Sequence, residues 1–144
     1  MLGETYDIKP SAEKQYYLFT SEGPKGKINK IVLFQGIGEN RYNLAFGDLL
    51  FGQLDDEVVS NNRDFVKVLS TVAACVYDFV KAYPGIELEI EPVDEKRKML
   101  YNAVFKRHHL FIRQQFRILG VITDTLEPYS QEKLYDRFEL YHKI

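Results

Sequence analysis

The most regular feature of the chain is a run of apolar positions over residues 60–83. Phe65, Leu69, Val72, Val76, Phe79 and Tyr83 recur at steps of four and three, a spacing that gathers side chains on one stripe of an α-helix facing a core. Ser60, Asn61 or Asn62 can cap its start by accepting a free backbone N–H, and Pro84-Gly85 stops it. Ahead of this helix the period shortens. Residues 14–21 (KQYYLFTS) and 27–35 (KINKIVLFQ) are rich in Tyr, Phe, Ile and Val, and the Glu22-Gly23-Pro24-Lys25-Gly26 stretch between them is turn chemistry, so the pair predicts a hairpin. Gly36-Ile37-Gly38-Glu39-Asn40 predicts a second turn. In residues 41–50, Tyr42, Leu44 and Phe46 alternate with Arg41, Asn43 and Ala45, which predicts a further strand of the meander. A short strand over residues 5–9 leads these in.

Beyond the helix, residues 86–91 (IELEIE) alternate without error, with Ile86, Leu88 and Ile90 turned inward and three Glu outward. Residues 94–115 open with two acids, which the dipole of a helix start favours, and predict a second helix through Leu100, Ala103, Val104 and Phe111, broken near His108-His109. Residues 116–123 and 137–144 read as closing strands. The expectation is one α+β domain over residues 1–144: a curved antiparallel sheet, ordered ββββ-α-β-α-ββ along the chain, packed on a long central helix.

Composition supports a packed core. Hydrophobic residues make up 45% and charged residues 28% of 144, the balance of a globular protein. Ten Tyr, ten Phe and no Trp suit a sheet with an aromatic face. No apolar run reaches the ~18 residues of a membrane span and the first ten residues do not read as a signal peptide, so a cytoplasmic protein with no membrane partner is expected. Cys75 is the one cysteine; among Val72, Ala73, Ala74 and Val76 it reads as a buried, inert core thiol.

Charge changes the picture more. The formal charge of −2 hides a basic segment, residues 94–117, with seven Lys and Arg against two Asp and Glu. Lys96, Arg97, Lys98, Lys106, Arg107, Arg113 and Arg117 form a block that can serve an anionic partner or simply be a solvated helix face. Basic and aromatic residues also interleave on the early strands: Tyr16, Tyr17 and Phe19, then Lys25, Lys27 and Lys30, then Arg41 and Tyr42. Single-stranded nucleic acid is held this way, bases stacking on rings and phosphates meeting cations. Tyr16, Lys25, Lys27, Lys30, Arg41, Tyr42, Lys96, Arg97 and Lys98 are therefore the candidate binding residues.

Other candidate chemistry is weaker. The acids Asp48, Asp55, Asp56, Glu57 and Asp64, and separately Glu87, Glu89 and Glu91, can hold Mg²⁺ or do acid–base work if brought together. Loop solubility and capping explain them as well. His108 and His109 are adjacent and point about 100° apart on a helix, so no metal site is expected of them, and no cofactor is expected.

Three stretches carry a resemblance: Asn43-Leu44-Ala45-Phe46-Gly47-Asp48, then Asp55-Asp56-x-Val58-Val59-Ser60-Asn61-Asn62-x-Asp64, then Lys67-Val68-Leu69-Ser70-Thr71-Val72-Ala73. Over residues 6–101 the chain resembles a family of small proteins of Bacteroidetes-type bacteria known only as a domain of unknown function. Members carry Gly-Ser-Thr after the strand that follows the first helix, then an Arg and a Leu-Tyr pair. Arg97 and Leu100-Tyr101 match here, whereas Glu91-Pro92-Val93 replaces the small hydroxyl turn. The family brings no known activity. The ββββ-α start is also similar to the Whirly and Pur-alpha type of single-stranded nucleic-acid-binding fold, a likeness of architecture only.

The leading expectation is a non-enzymatic module for single-stranded nucleic acid. The alternatives are a protein-interaction or self-association module, with a homo-oligomer as its product, and thirdly a metal-dependent nuclease-like enzyme.

Overall fold

A computed structural model describes residues 3–50, 53–55 and 64–144, with the backbone alone for Leu50 and residues 53–55. The class is the expected one, α+β, with a mostly antiparallel open sheet and two helices. The chain gathers into two compact units, residues 1–35 with 45–82, and residues 36–44 with 83–144.

The first unit holds β1 (Lys9–Pro10), β2 (Tyr16–Gly23), β3 (Gly26–Gly38) as far as residue 35 and β4 (Arg41–Leu50) from residue 45, neighbours in that order, and β5 (Gln53–Asp55) pairs antiparallel with β4. β2 and β3 form the expected hairpin, but the turn is tighter than residues 22–26: Gly23 pairs with Gly26, leaving only Pro24-Lys25 as the loop. Gly26 sits at φ +84, where a side chain would be strained. The second turn is likewise shorter. Gly36 and Gly38 lie inside β3, and the chain reverses at Glu39-Asn40, with Asn40 in the left-handed region at φ 55, which Asn tolerates because its short side chain can bond locally.

Alternation sends Tyr17, Phe19 and Ser21 of β2 and Lys30, Val32 and Phe34 of β3 to one buried face. There they meet α1 (Phe65–Ala82), whose Phe79 stacks on Phe34 with ring centroids 4.0 Å apart. The buried stripe of α1 differs from the predicted one. It runs Val68, Thr71, Val72, Cys75, Val76, Phe79 and Val80. Leu69 and Tyr83 are half-buried and Phe65 is 43% exposed. The polar Thr71 can occupy this seam because its hydroxyl donates to Lys67 O at 2.7 Å and accepts from Tyr6 N at 2.9 Å. Each buried Val or Phe contributes about 1.5–3 kcal/mol before entropy is charged. The capping residues Ser60, Asn61 and Asn62 lie outside the described residues. Cys75 is buried as expected, and burial pushes its thiol up to about 12, which leaves it protonated and unreactive.

In the second unit, β6 (Glu87–Ile90) lies parallel to the start of β4, a pairing imposed by the β–α–β connection through α1. β9 (Arg137–His142) pairs antiparallel with β6 and with β7 (Phe116–Ile122), and β8 (Thr125–Pro128) forms the outer edge against β7. α2 (Glu95–Ile112) runs unbroken through His108-His109. Its inward residues are Asn102 and Phe105 rather than the expected Leu100, Ala103, Val104 and Phe111. Phe105 stacks on Phe138 at 4.0 Å. The Asn102 amide donates to Lys98 O and Tyr135 O, and its oxygen accepts from Tyr135 N.

Candidate nucleic-acid interface

The nine predicted residues separate into those engaged within the fold and those that face solvent. On β3, Lys30 points with the core face and is only 8% exposed. Its ammonium is held by Asp48 of β4 at 2.5 Å, and Asp48 is 2% exposed. An ammonium so placed is not offered to a phosphate. Alternation on the paired strand β2 likewise buries Tyr17 and Phe19, at 0% and 4% exposure, so the expected aromatic platform there is core. Tyr16 points the other way and is 41% exposed. Lys25 and Lys27 stand exposed at the hairpin, Lys27 at 3.8 Å from Glu22.

In the second unit, Arg41 opens β4 opposite Glu87 in the parallel register. Its Nε is 3.0 Å from Glu87, and its Nη2 is 3.9 Å from both Glu89 and Glu139. Glu89 and Glu139 are directly opposed on neighbouring strands, where like charges repel, and Arg41 between them relieves that repulsion. Arg137 adds a second cation 3.7 Å from Glu89. The Tyr141 hydroxyl donates to Glu139 at 2.7 Å, and burial followed by this bond pushes its phenol up to about 12. Glu87 and Glu89 are thus partners of arginines, and Asp64 accepts hydrogen bonds from Tyr6 and Ser21. The side chains of Asp55, Asp56 and Glu57 lie outside the described residues. Among the described residues no group of three His, Cys, Asp or Glu is placed to hold a metal ion. Tyr42, on the opposite side of β4 from Arg41, is half-buried.

The basic segment divides along α2. Asp94 caps the helix by accepting from Arg97 N at 2.8 Å, and the Arg97 guanidinium returns to the same carboxylate at 2.6 Å. Lys98 reaches Asp136 at 2.8 Å; that bond raises the lysine's pKa and, with the Thr123 N–H, holds Asp136 below the usual carboxylate range. Lys96, however, begins a different face. Lys96, Met99, Ala103, Lys106, Arg107, Leu110 and the C-capping Arg113 follow at helical spacing and are all exposed. Its four cations, Lys96, Lys106, Arg107 and Arg113, form no ion pair among the described residues. Exposed Arg117, at the start of β7, is similarly placed in no ion pair. Lys106, Arg107, Arg113 and Arg117 belong to the basic block, but the predicted binding set stopped at Lys98. The helical period of exposure, separating Lys96 from Arg97 and Lys98, is the signal that could have extended it. His108 turns partly inward, and burial followed by the nearby Arg107 charge lowers its pKa. The His109 ring packs beside Tyr129. The two histidines do not share a direction.

Residues 3–143 match the model of a family of unknown function, DUF6934, and the chain belongs to that family. No curated protein and no solved structure matches it. In the described residues, no helix is long and apolar enough to cross a membrane.

Proposed function

We propose that this chain is a non-enzymatic module that binds single-stranded nucleic acid, with the exposed face of α2 as its principal contact. The observation that carries the reading is that Lys96, Lys106, Arg107 and Arg113 share one helix face and form no ion pair among the described residues, whereas Lys30, Arg41, Arg97 and Lys98 are engaged by carboxylates. Cations free of internal partners are the ones that can release counterions from a phosphate chain. The face lacks an exposed aromatic ring, so it contacts the backbone and is indifferent to sequence. Tyr16, Lys25 and Lys27 of the predicted set stand exposed on the β2–β3 hairpin, Lys27 beside Glu22, and belong to the secondary part of the same reading. The likeness to the Whirly and Pur-alpha fold and the placement among Bacteroidetes-type proteins of the cytosol belong to the same reading.

Titration of a fluorescent oligothymidylate into the protein tests this. Four phosphate contacts give a log K against log salt slope of about −3 for a single strand. Binding that ignores salt, or no binding at low salt, overturns the proposal.

A second reading is favoured by one observation. Met99 and Leu110, 49% and 69% exposed, lie between the cations of the same face. Self-association through them would appear as a concentration-dependent mass in sedimentation, without nucleic acid.

A further inference from the structure

A cleft of about 450 Å³ opens in the first unit, between the segment around Tyr6 and strands β2 and β3. That volume lies in the range of pockets that enclose small organic ligands. Leu18, Phe19 and Leu49 give it an apolar portion, and Thr20 and Asn29, hydrogen-bonded to one another at 3.1 Å, a polar one. Among the described residues the lining also carries four charged side chains: Asp7, Lys9, Glu22 and Lys30.

These charges are not equivalent. Lys30 is neutralised by Asp48, and Glu22 stands 3.8 Å from Lys27. Asp7 and Lys9 are exposed and form no ion pair among the described residues. Among the described residues, Asp7 and Lys9 are thus one negative and one positive group of the lining that lie in no ion pair. Exposure alternates from half-buried Tyr6 through Asp7, Ile8 and Lys9, the period of an extended chain, which sends Asp7 and Lys9 to the same side about 7 Å apart.

The wall that presents them is fixed before any ligand arrives. Tyr6 N donates to Thr71, the Tyr6 hydroxyl donates to Asp64, its ring stacks on Phe19 with centroids 5.9 Å apart, and the Lys67 ammonium lies 4.2 Å from the ring centroid. A pre-ordered wall spares a ligand the entropy of arranging it.

We infer that this cleft binds a short zwitterionic peptide with apolar side chains. Its ammonium meets Asp7 and its carboxylate meets Lys9, since the ends of an extended dipeptide are separated by about the same 7 Å. Its side chains rest against Leu18 and Leu49, and the Thr20 and Asn29 side chains face its amide. A simple anion or cation would satisfy one rim charge and be repelled by the other.

The test is calorimetry of the full chain with L-leucyl-L-leucine, its N-acetyl form and its C-terminal amide, alongside Asp7→Asn and Lys9→Gln. Both substitutions are at exposed positions and leave the unliganded melting temperature unchanged. The expected result is binding of the free dipeptide, with a loss of roughly tenfold or more in each blocked peptide and each variant. Absence of binding at millimolar dipeptide, equal binding of the blocked forms, or unchanged binding by both variants overturns the inference. None of these outcomes bears on the face of α2, because the residues belong to different units.

Discussion

Tyr135 lies with its ring directly against the backbone of Gly120: a Cβ built on Gly120 would stand 2.2 Å from Tyr135 Cδ1. Tyr135 is fully buried, its hydroxyl accepts from Ser130 N at 2.9 Å and donates to Glu127 at 3.1 Å, and both of its backbone polar groups bond Asn102. The ring cannot swing aside without breaking those bonds. Glycine at 120 is therefore a requirement of close approach, not of backbone conformation. Gly120→Ala should destabilise the protein by about 1–3 kcal/mol or more through overpacking, read as a lower urea midpoint with an unchanged slope.

Asn102 is the complementary case. Truncation to Ala leaves the Tyr135 N–H and C=O buried without partners, each at about 1–3 kcal/mol. Chemical denaturation should show Asn102→Ala losing more stability than Ala103→Ser at its exposed neighbour.

The Lys30–Asp48 pair should behave as a buried ion pair whose halves are worth little alone. Lys30→Met by itself takes the cation away from the buried Asp48 carboxylate and costs about 3–5 kcal/mol, while Lys30→Met with Asp48→Leu recovers most of that loss. A double-mutant cycle by denaturation measures it; additive losses would contradict the assignment.

Asp78 supplies a pH dependence. Hydrogen bonds from Lys14 at 2.7 Å and Tyr17 at 2.6 Å hold its carboxyl below the usual range. A carboxyl depressed in the folded state contributes stability that is complete above its unfolded pKa of about 3.9 and is lost as pH falls through the lower folded value. Asp78→Asn should flatten the acid limb of the stability curve below about pH 4 and lower the plateau at neutral pH, followed by melting temperature against pH.

Much of the fold was legible because alternation is hard to counterfeit. Leu88 and Ile90 point inward, as the IELEIE run requires, and the β2–β3 hairpin follows from its turn residues. The stripe of α1 was read through its large side chains, Phe65, Leu69 and Tyr83, whereas the buried seam includes Thr71 and Cys75, small groups that count for little in an apolar pattern. β8 was missed because Thr125-Leu126-Glu127-Pro128 is short and ends in proline; its tolerance comes from lying at a sheet edge. At the candidate site, composition picks out the basic segment but could not assign partners. Arg97 and Lys98 are adjacent to Lys96 in sequence, yet Asp94 and Asp136 engage them, and Asp136 is 38 residues from Lys98.

The account rests on the exposed cations of α2, which form no ion pair among the described residues, and the most direct measurement compares two triple substitutions by fluorescence anisotropy with a single-stranded oligonucleotide at low salt. Lys106→Ala/Arg107→Ala/Arg113→Ala, all at exposed positions, should leave the melting temperature near that of the parent, weaken binding by roughly tenfold or more and make the salt slope shallower by about 2. Arg41→Ala/Arg97→Ala/Lys98→Ala, which removes cations already engaged by carboxylates, should change the slope far less. Equal affinity and slope for the parent and the α2 variant would contradict the account.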